Sequence, residues 1–240
     1  MPTLSRRLTP YVPMSPLSVC LLAAAYFLSV PTLSAQAANQ NASATAATPE
    51  RCVFVKDVKF FQGKFSGPNA WNRIEVVIDP RANPDPKATN KRWIDKVKVT
   101  LTIGFKSEKS KTAEDWNYYR SSATILTLEQ NQPRSVFFYL PGDVVKRDQL
   151  RKDPDVYYVD VEVAGTAQAV FDARGLLVSD QKAAVSKELQ KKADYDGCKG
   201  FADRGVLNST GILRPQYLVS FYDKVFDFSP EFVREDSSSR

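Results

Sequence analysis

Residues 95–106, Asp95-Lys96-Val97-Lys98-Val99-Thr100-Leu101-Thr102-Ile103-Gly104-Phe105-Lys106, carry the pattern on which the fold turns. Val97, Val99, Leu101, Ile103 and Phe105 alternate with Lys96, Lys98, Thr100, Thr102 and Gly104. A period of two sends the apolar set to one face of a strand and the polar set to the other. One wet face belongs to an antiparallel sheet, since parallel strands are usually covered on both sides. The alternation recurs at Ile74, Val76 and Ile78 against Arg73, Glu75 and Val77. It appears again at Tyr157, Val159, Val161 and Val163 against Tyr158, Asp160, Glu162 and Ala164.

Less regular strands are expected over residues 52–61, 121–128, 135–140, 168–172 and 217–222. Turn chemistry separates them: Gly67-Pro68-Asn69, the proline-rich stretch 79–86, Asn131-Gln132-Pro133, Pro141-Gly142-Asp143 and Asp153-Pro154. Several half-wet strands at this spacing predict a mostly β fold, an antiparallel immunoglobulin-like β-sandwich. One long helix packed across it is expected over 180–195, with Ala184 or Val185, Leu189 and Ala193 as its apolar stripe. Ser179 would cap that helix and Gly197 would end it. A shorter helical turn over 144–150 follows Asp143.

The N-terminus has Arg6 and Arg7, an apolar run within 17–30, and Ala35-Gln36-Ala37. Positive region, short apolar core and small-residue cleavage site is the order of a secretory signal. The run is shorter than the roughly 20 residues that span a bilayer. The expected organisation is a signal peptide at 1–37, a flexible tether at 38–50, a sandwich domain at 51–233 and a disordered tail at 234–240. After cleavage no stable membrane insertion is expected, and the address is periplasmic or extracellular. Leu17-Ser18-Val19-Cys20 faintly resembles a lipidation tetrad, but Cys20 stands near the start of the apolar run rather than after it. Lipidation and an uncleaved anchor are the minor alternatives.

Export leaves Cys52 and Cys198 as an even pair in an oxidising compartment, and a disulfide between them is expected. Closing so long a loop contributes roughly 4–5 kcal/mol in the chain-entropy account. Two buried thiols are the alternative. The chain has no histidine, which excludes Ser-His-Asp and Cys-His nucleophilic catalysis and removes the commonest ligand of transition metals. No catalytic, cofactor-binding or metal-ligating residue is assigned, and no cofactor is expected. The formal charge of +6 falls by two with Arg6 and Arg7, and the remaining cations are interspersed with acids. No nucleic-acid partner is implied.

Other constellations are short. Asp194-Tyr195-Asp196-Gly197 resembles part of a calcium loop but lacks a third ligand and the closing glutamate; a helix end explains it more simply. Asp160 and Glu162 share one strand face, where solvation accounts for two acids. Asn208-Ser209-Thr210 is a glycosylation acceptor only in a eukaryotic source. Trp116, Tyr118 and Tyr119 crowd a polar segment beside Arg120, and exposed aromatic side chains stack on sugars or anchor proteins. Trp116 and Tyr119 are therefore the candidates for partner contact. The competing reading has Trp116 and Tyr118 begin a strand and face the core.

Phe137-Phe138-Tyr139-Leu140-Pro141, leading into Val144-Val145-Lys146-Arg147, together with the signal, tether and paired cysteines, resembles exported immunoglobulin-like proteins of bacteria encoded alongside type IV pilus genes. The resemblance extends over residues 51–233. It implies a non-enzymatic envelope protein with a binding or structural role, a pilus accessory with a protein partner in the envelope or in pilus assembly. No functional residue carries over from it. The rival is a carbohydrate-binding or histidine-free carboxylate hydrolase domain, marked by a cleft with two acids roughly 5–10 Å apart. An exposed strand edge that lends or accepts a strand is the more specific form of the first reading.

Overall fold

The computed structural model describes residues 51–64, 70–107 and 110–234. The expected signal peptide, Cys20, the tether and residues 235–240 of the tail lie outside the described residues. The strands in chain order are β1 (Val53–Lys64), β2 (Trp71–Pro80), β3 (Trp93–Phe105), β4 (Asn117–Glu129), β5 (Arg134–Leu140), β6 (Val156–Val163), β7 (Thr166–Ala167) and β8 (Arg214–Pro215). Two α-helices accompany them, α1 (Gly142–Arg147) and α2 (Lys192–Gly205).

The strands form two antiparallel sheets, in the orders β1-β2-β5-β8 (sheet A) and β4-β3-β6-β7 (sheet B). The first, second and fifth strands thus face the third, fourth and sixth, which fits the expected immunoglobulin-like sandwich. Ile74, Val76 and Ile78 of β2 and Val136, Phe138 and Leu140 of β5 are buried between the sheets. They meet Val97, Val99, Leu101 and Ile103 of β3 and Val159 and Val161 of β6, which are buried as well. Register keeps these sets on one face, with Val99 opposite Ala123 and Val161, and Leu101 opposite Ser121 and Val159.

The helix lies elsewhere than the apolar stripe suggests. Residues 179–184 and 187–189 are 3₁₀ turns, and Val185 between them bridges to Tyr158 of β6. Ser186 donates its backbone N–H to Tyr157 O. Open backbone groups on β6 therefore hold this segment extended, against its helical spacing. The helix begins at Lys192 and runs through Gly197 rather than stopping there. An interior glycine costs about 1 kcal/mol relative to alanine. Burial of Tyr195, Cys198 and Ala202 on one face, at helical spacing, offsets it. The expected strands at 168–172 and 217–222 are also replaced. The first has a two-residue strand, Thr166–Ala167, just before it and the Phe171–Leu177 bridge within it, and a 3₁₀ turn, Gln216–Leu218, opens the second.

Helix α2 packs on the outer face of sheet B and changes its character. Thr102 and Gly104, expected on a wet face, are buried. The Tyr118 ring fills the space between Gly104 and Gly205. A Cβ on Gly104 would stand 2.8 Å from Tyr118 Cε1 and from Val156 Cγ2, and one on Gly205 would stand 2.9 Å from Tyr118 Cδ2. Gly104→Ala is expected to lower stability by about 1–3 kcal/mol through overpacking. It should appear as an earlier urea midpoint at unchanged slope; a midpoint equal to the parent's would mean that Tyr118 yields without cost.

The cysteines do not form the expected bridge. Both are buried and are not joined to each other. Cys52 precedes β1 in sheet A, where its N–H bonds to Gln168 Oε1 at 2.9 Å. Cys198 sits within α2, on the far side of sheet B, against Tyr118. The sequence places both residues near domain landmarks, but the helix that carries Cys198 turns it toward the outer face of the other sheet. Burial pushes the Cys198 thiol above its ordinary pKa.

The sheet edges are largely closed by the chain itself. Gln181 brackets β1, accepting from Val55 N and donating to Val53 O, both at 3.5 Å. Gln216 accepts from Phe137 N at 3.1 Å beside β5. With Gln168, these buried glutamines present an amide where a neighbouring strand would present its backbone. On β4, residues 231–233 take that place: Leu126 N donates to Glu231 O and Val233 N donates to Thr124 O, each at 2.8 Å.

Candidate functional site

The partner-contact candidates meet at one cleft of about 310 Å³, formed where β4 begins beside α1 and the end of α2. Alternation along β4 places Tyr119 opposite Ile103 of β3, on the core side of the strand. Its ring is buried, and its hydroxyl reaches Asp148 just after α1. Tyr119 therefore offers no exposed ring to a partner, which corrects the sequence reading. Trp116 is half-buried and stacks on Tyr118 with ring centroids 6.5 Å apart. It packs against the core cluster, but it precedes β4 rather than beginning it.

The chemistry at this cleft is locked. Arg147 grips Asp148 with two hydrogen bonds of 2.7 Å. Arg147, and after it Tyr119, hold the Asp148 carboxyl below the usual range. Burial and then Asp148 raise Tyr119 well above an ordinary phenol. A tyrosine that keeps its proton and a carboxylate already bound twice hold structure rather than exchange protons.

The acids singled out in the sequence are also engaged. Asp160 accepts from Tyr195 Oη at 2.9 Å and pairs with Lys199 Nζ at 3.1 Å. Glu162 faces Lys98 at 3.7 Å. Asp196 lies in α2 and pairs with Lys192, so the segment around it is helix and not a loop. Arg120 joins this layer, donating to Thr102 Oγ1 at 2.9 Å and Tyr158 Oη at 2.6 Å and pairing with Asp203 at 2.7 Å. The network fastens α2 to sheet B. Among the described residues no cluster of three metal-ligating side chains occurs.

A second arrangement lies on the outer face of sheet A. Alternation on β2 and β5 turns Trp71, Arg73, Phe137 and Tyr139 away from the core. Residues 216–229 cross this face. Phe221 packs edge-on against Trp71 and Tyr139, at 5.1 and 5.4 Å, and Phe226 packs on Tyr139 at 5.9 Å. Asp223 reaches down to Arg73 at 2.8 Å and accepts from Tyr139 Oη at 3.0 Å. Arg73 lies over the Phe61 ring at 4.5 Å, so the ion pair sits among aromatic rings. With its inner side chains anchored, this segment turns Leu218, Tyr222 and Phe228 outward, at 59%, 63% and 74% exposure.

The sequence reading missed these three residues. A strand over 217–222 would alternate, but the aromatic residues at 217, 221, 222, 226 and 228 follow neither a two-residue nor a helical period. Their density was the available signal. Trp93, exposed just before the alternating run, was missed for a related reason: it lies at the strand's first residue, beyond the reach of the pattern.

No protein-family model matches the chain, and no curated protein matches it. A solved structure from Akkermansia muciniphila is similar at 13% identity, covering 77% of this chain and 94% of that one, with a TM-score of 0.44. Among the described residues no helix is long and apolar enough to cross a membrane.

Proposed function

We propose that the chain is a non-enzymatic binding protein of the bacterial envelope that docks a protein partner through the ridge at residues 216–229. The supporting observation is the exposure of Leu218, Tyr222 and Phe228 on a segment that the Arg73–Asp223 pair anchors to sheet A. Exposed aromatic side chains on a rigid support lose little entropy on binding and are the usual anchors of protein interfaces. Side-chain docking is favoured over strand exchange, because glutamine side chains and residues 231–233 already occupy stretches of the sheet edges. Export, a pilus-accessory role and cleavage after Ala37 belong to the same proposal and rest on the N-terminal sequence and the family resemblance.

Cross-linking through a photoreactive residue at position 218, in native envelopes, is expected to capture one defined protein. Tyr222→Ser combined with Phe228→Ser should reduce that capture at least about tenfold. The thermal midpoint should hold, since both side chains are exposed. Recovery of the free monomer alone, or undiminished capture by the double variant, would refute the ridge as the docking surface.

A further inference from the structure

Trp93 begins β3 at the end of a loop that its own side chains stiffen. Asn83 Oδ1 accepts from Asp85 N at 2.9 Å, Asp85 Oδ1 from Lys87 N at 2.8 Å and Asn90 Oδ1 from Arg92 N at 3.0 Å. Asn83 Nδ2 donates to Trp93 O at 2.5 Å, and Trp93 N donates to Asn90 O at 3.3 Å. These bonds hold the backbone of Trp93 at both its N–H and its carbonyl. Ile94 turns into the core, and Trp93 is left 39% exposed.

The indole borders two open clefts. One, of about 470 Å³, has a mixed lining that includes Asp85, Lys87, Thr89 and Asn90; the other, of about 550 Å³, includes Lys96, Leu126 and Thr127. Trp93 and Asp95 line both. The first cleft holds hydrogen-bonding capacity that the loop leaves over: the Thr89 hydroxyl, the second oxygen of Asp85, Asn90 Nδ2 and the Asp95 carboxylate. A ligand that suits such a surface has a flat face of C–H bonds for an electron-rich ring and hydroxyls around its rim for amides and carboxylates. Asp85 and Asp95 are balanced by Lys87 and Lys96 in the same lining, which suits a neutral ligand over a charged one. Two clefts that share one ring favour a chain over a single unit.

We infer that the groove across Trp93 binds a neutral β-1,4-linked pyranose chain, with one sugar stacked on the indole and its neighbours in the two clefts. In such chains every ring presents its axial C–H bonds to a face and its hydroxyls to the rim. Thr89, Asn90 and Asp95 bond those hydroxyls in the first cleft, and Leu126 supports the next unit in the other. This site shares no residue with the ridge at 216–229, so either assignment stands if the other fails.

The test is isothermal titration of the whole chain with cellohexaose, chitohexaose and xylohexaose, whose different substituents distinguish a plant-type glucan or xylan from a wall-type amino-sugar chain. At least one is expected to bind at millimolar concentration or below. Trp93→Ala should weaken that binding at least about tenfold, Trp93→Tyr should keep it within about threefold, and Asp95→Ala should weaken it while preserving the circular dichroism spectrum. No heat from any of the three at about 10 mM, or equal binding by Trp93→Ala, would overturn the assignment.

Discussion

Asp223→Ala is expected to destabilise the domain by about 3–5 kcal/mol, because it leaves the Arg73 guanidinium buried without its counter-charge. The side chains of Arg73 and Asp223 are 13% and 10% exposed, and Tyr139 loses its acceptor in the same change. For a domain of this size that corresponds to a drop in melting temperature of roughly 10 °C. Replacing both partners separates the pair from its desolvation. Arg73→Met with Asp223→Leu removes two charges from an aromatic surround and should recover most of the loss, since apolar replacements of buried pairs are often neutral. A double variant as unstable as the single one would mean that the pair does more than neutralise itself. Proteolysis reads the same event locally: in Asp223→Ala, cleavage within 216–229 should precede global unfolding, because that segment depends on the latch.

The second large effect is with pH. Tyr118, Tyr119, Tyr139, Tyr158 and Tyr195 are all buried, and burial is the first cause raising each phenol above its ordinary value, Tyr158 to about 12. A raised phenol pKa means that the folded state holds its proton where the unfolded chain has lost it. Stability from these groups is therefore complete below pH 10 and falls as pH rises through the range between 10 and the folded values. Each tyrosine contributes a loss of up to about 1.4 kcal/mol per pH unit there, so five acting together give a fall of several kcal/mol over one unit. The melting temperature should hold to about pH 9.5 and collapse between about pH 10.5 and 12. Phenolate absorbance of these five residues should appear with unfolding and not before it. A gradual titration of all eight tyrosines of residues 51–233 in the folded protein would contradict this account. Cys198 acts in the same direction, its thiol raised by burial, and adds to the alkaline loss.

Legibility in the sequence followed the range of the interactions concerned. Strands β2, β3 and β6 could be read directly, since a half-buried strand writes its environment into every second residue. Val97 to Phe105 needed no partner to declare which face was dry. The helix could not be read that way. Residues 180–195 carry a thin helical stripe, yet open backbone groups on β6 and the edge of β1 hold 179–189 as extended chain and 3₁₀ turns through Val185, Ser186 and Gln181. Residues 192–205 contain three glycines and still form the helix, because Tyr195, Cys198 and Ala202 find sheet B to cover. Trp116 and Tyr119 were singled out as exposed aromatic side chains, but whether a ring faces solvent depends on strand parity and on Asp148, which lies 29 residues further along the chain from Tyr119.

By itself, then, the amino-acid order determined the alternating pattern of β2, β3 and β6, their antiparallel character, and the lack of any histidine-based chemistry. These follow from local periodicity and composition. Only the tertiary structure decided that Cys52 and Cys198 lie on different layers, that Thr102 and Gly104 are buried, and that Asp223 closes on Arg73 across 150 residues of chain. It likewise decided that, among the described residues, Trp93, Tyr222 and Phe228 are aromatic side chains left in the open. Burial of a side chain is a property of what folds over it, and no neighbour in sequence reports which distant segment that will be.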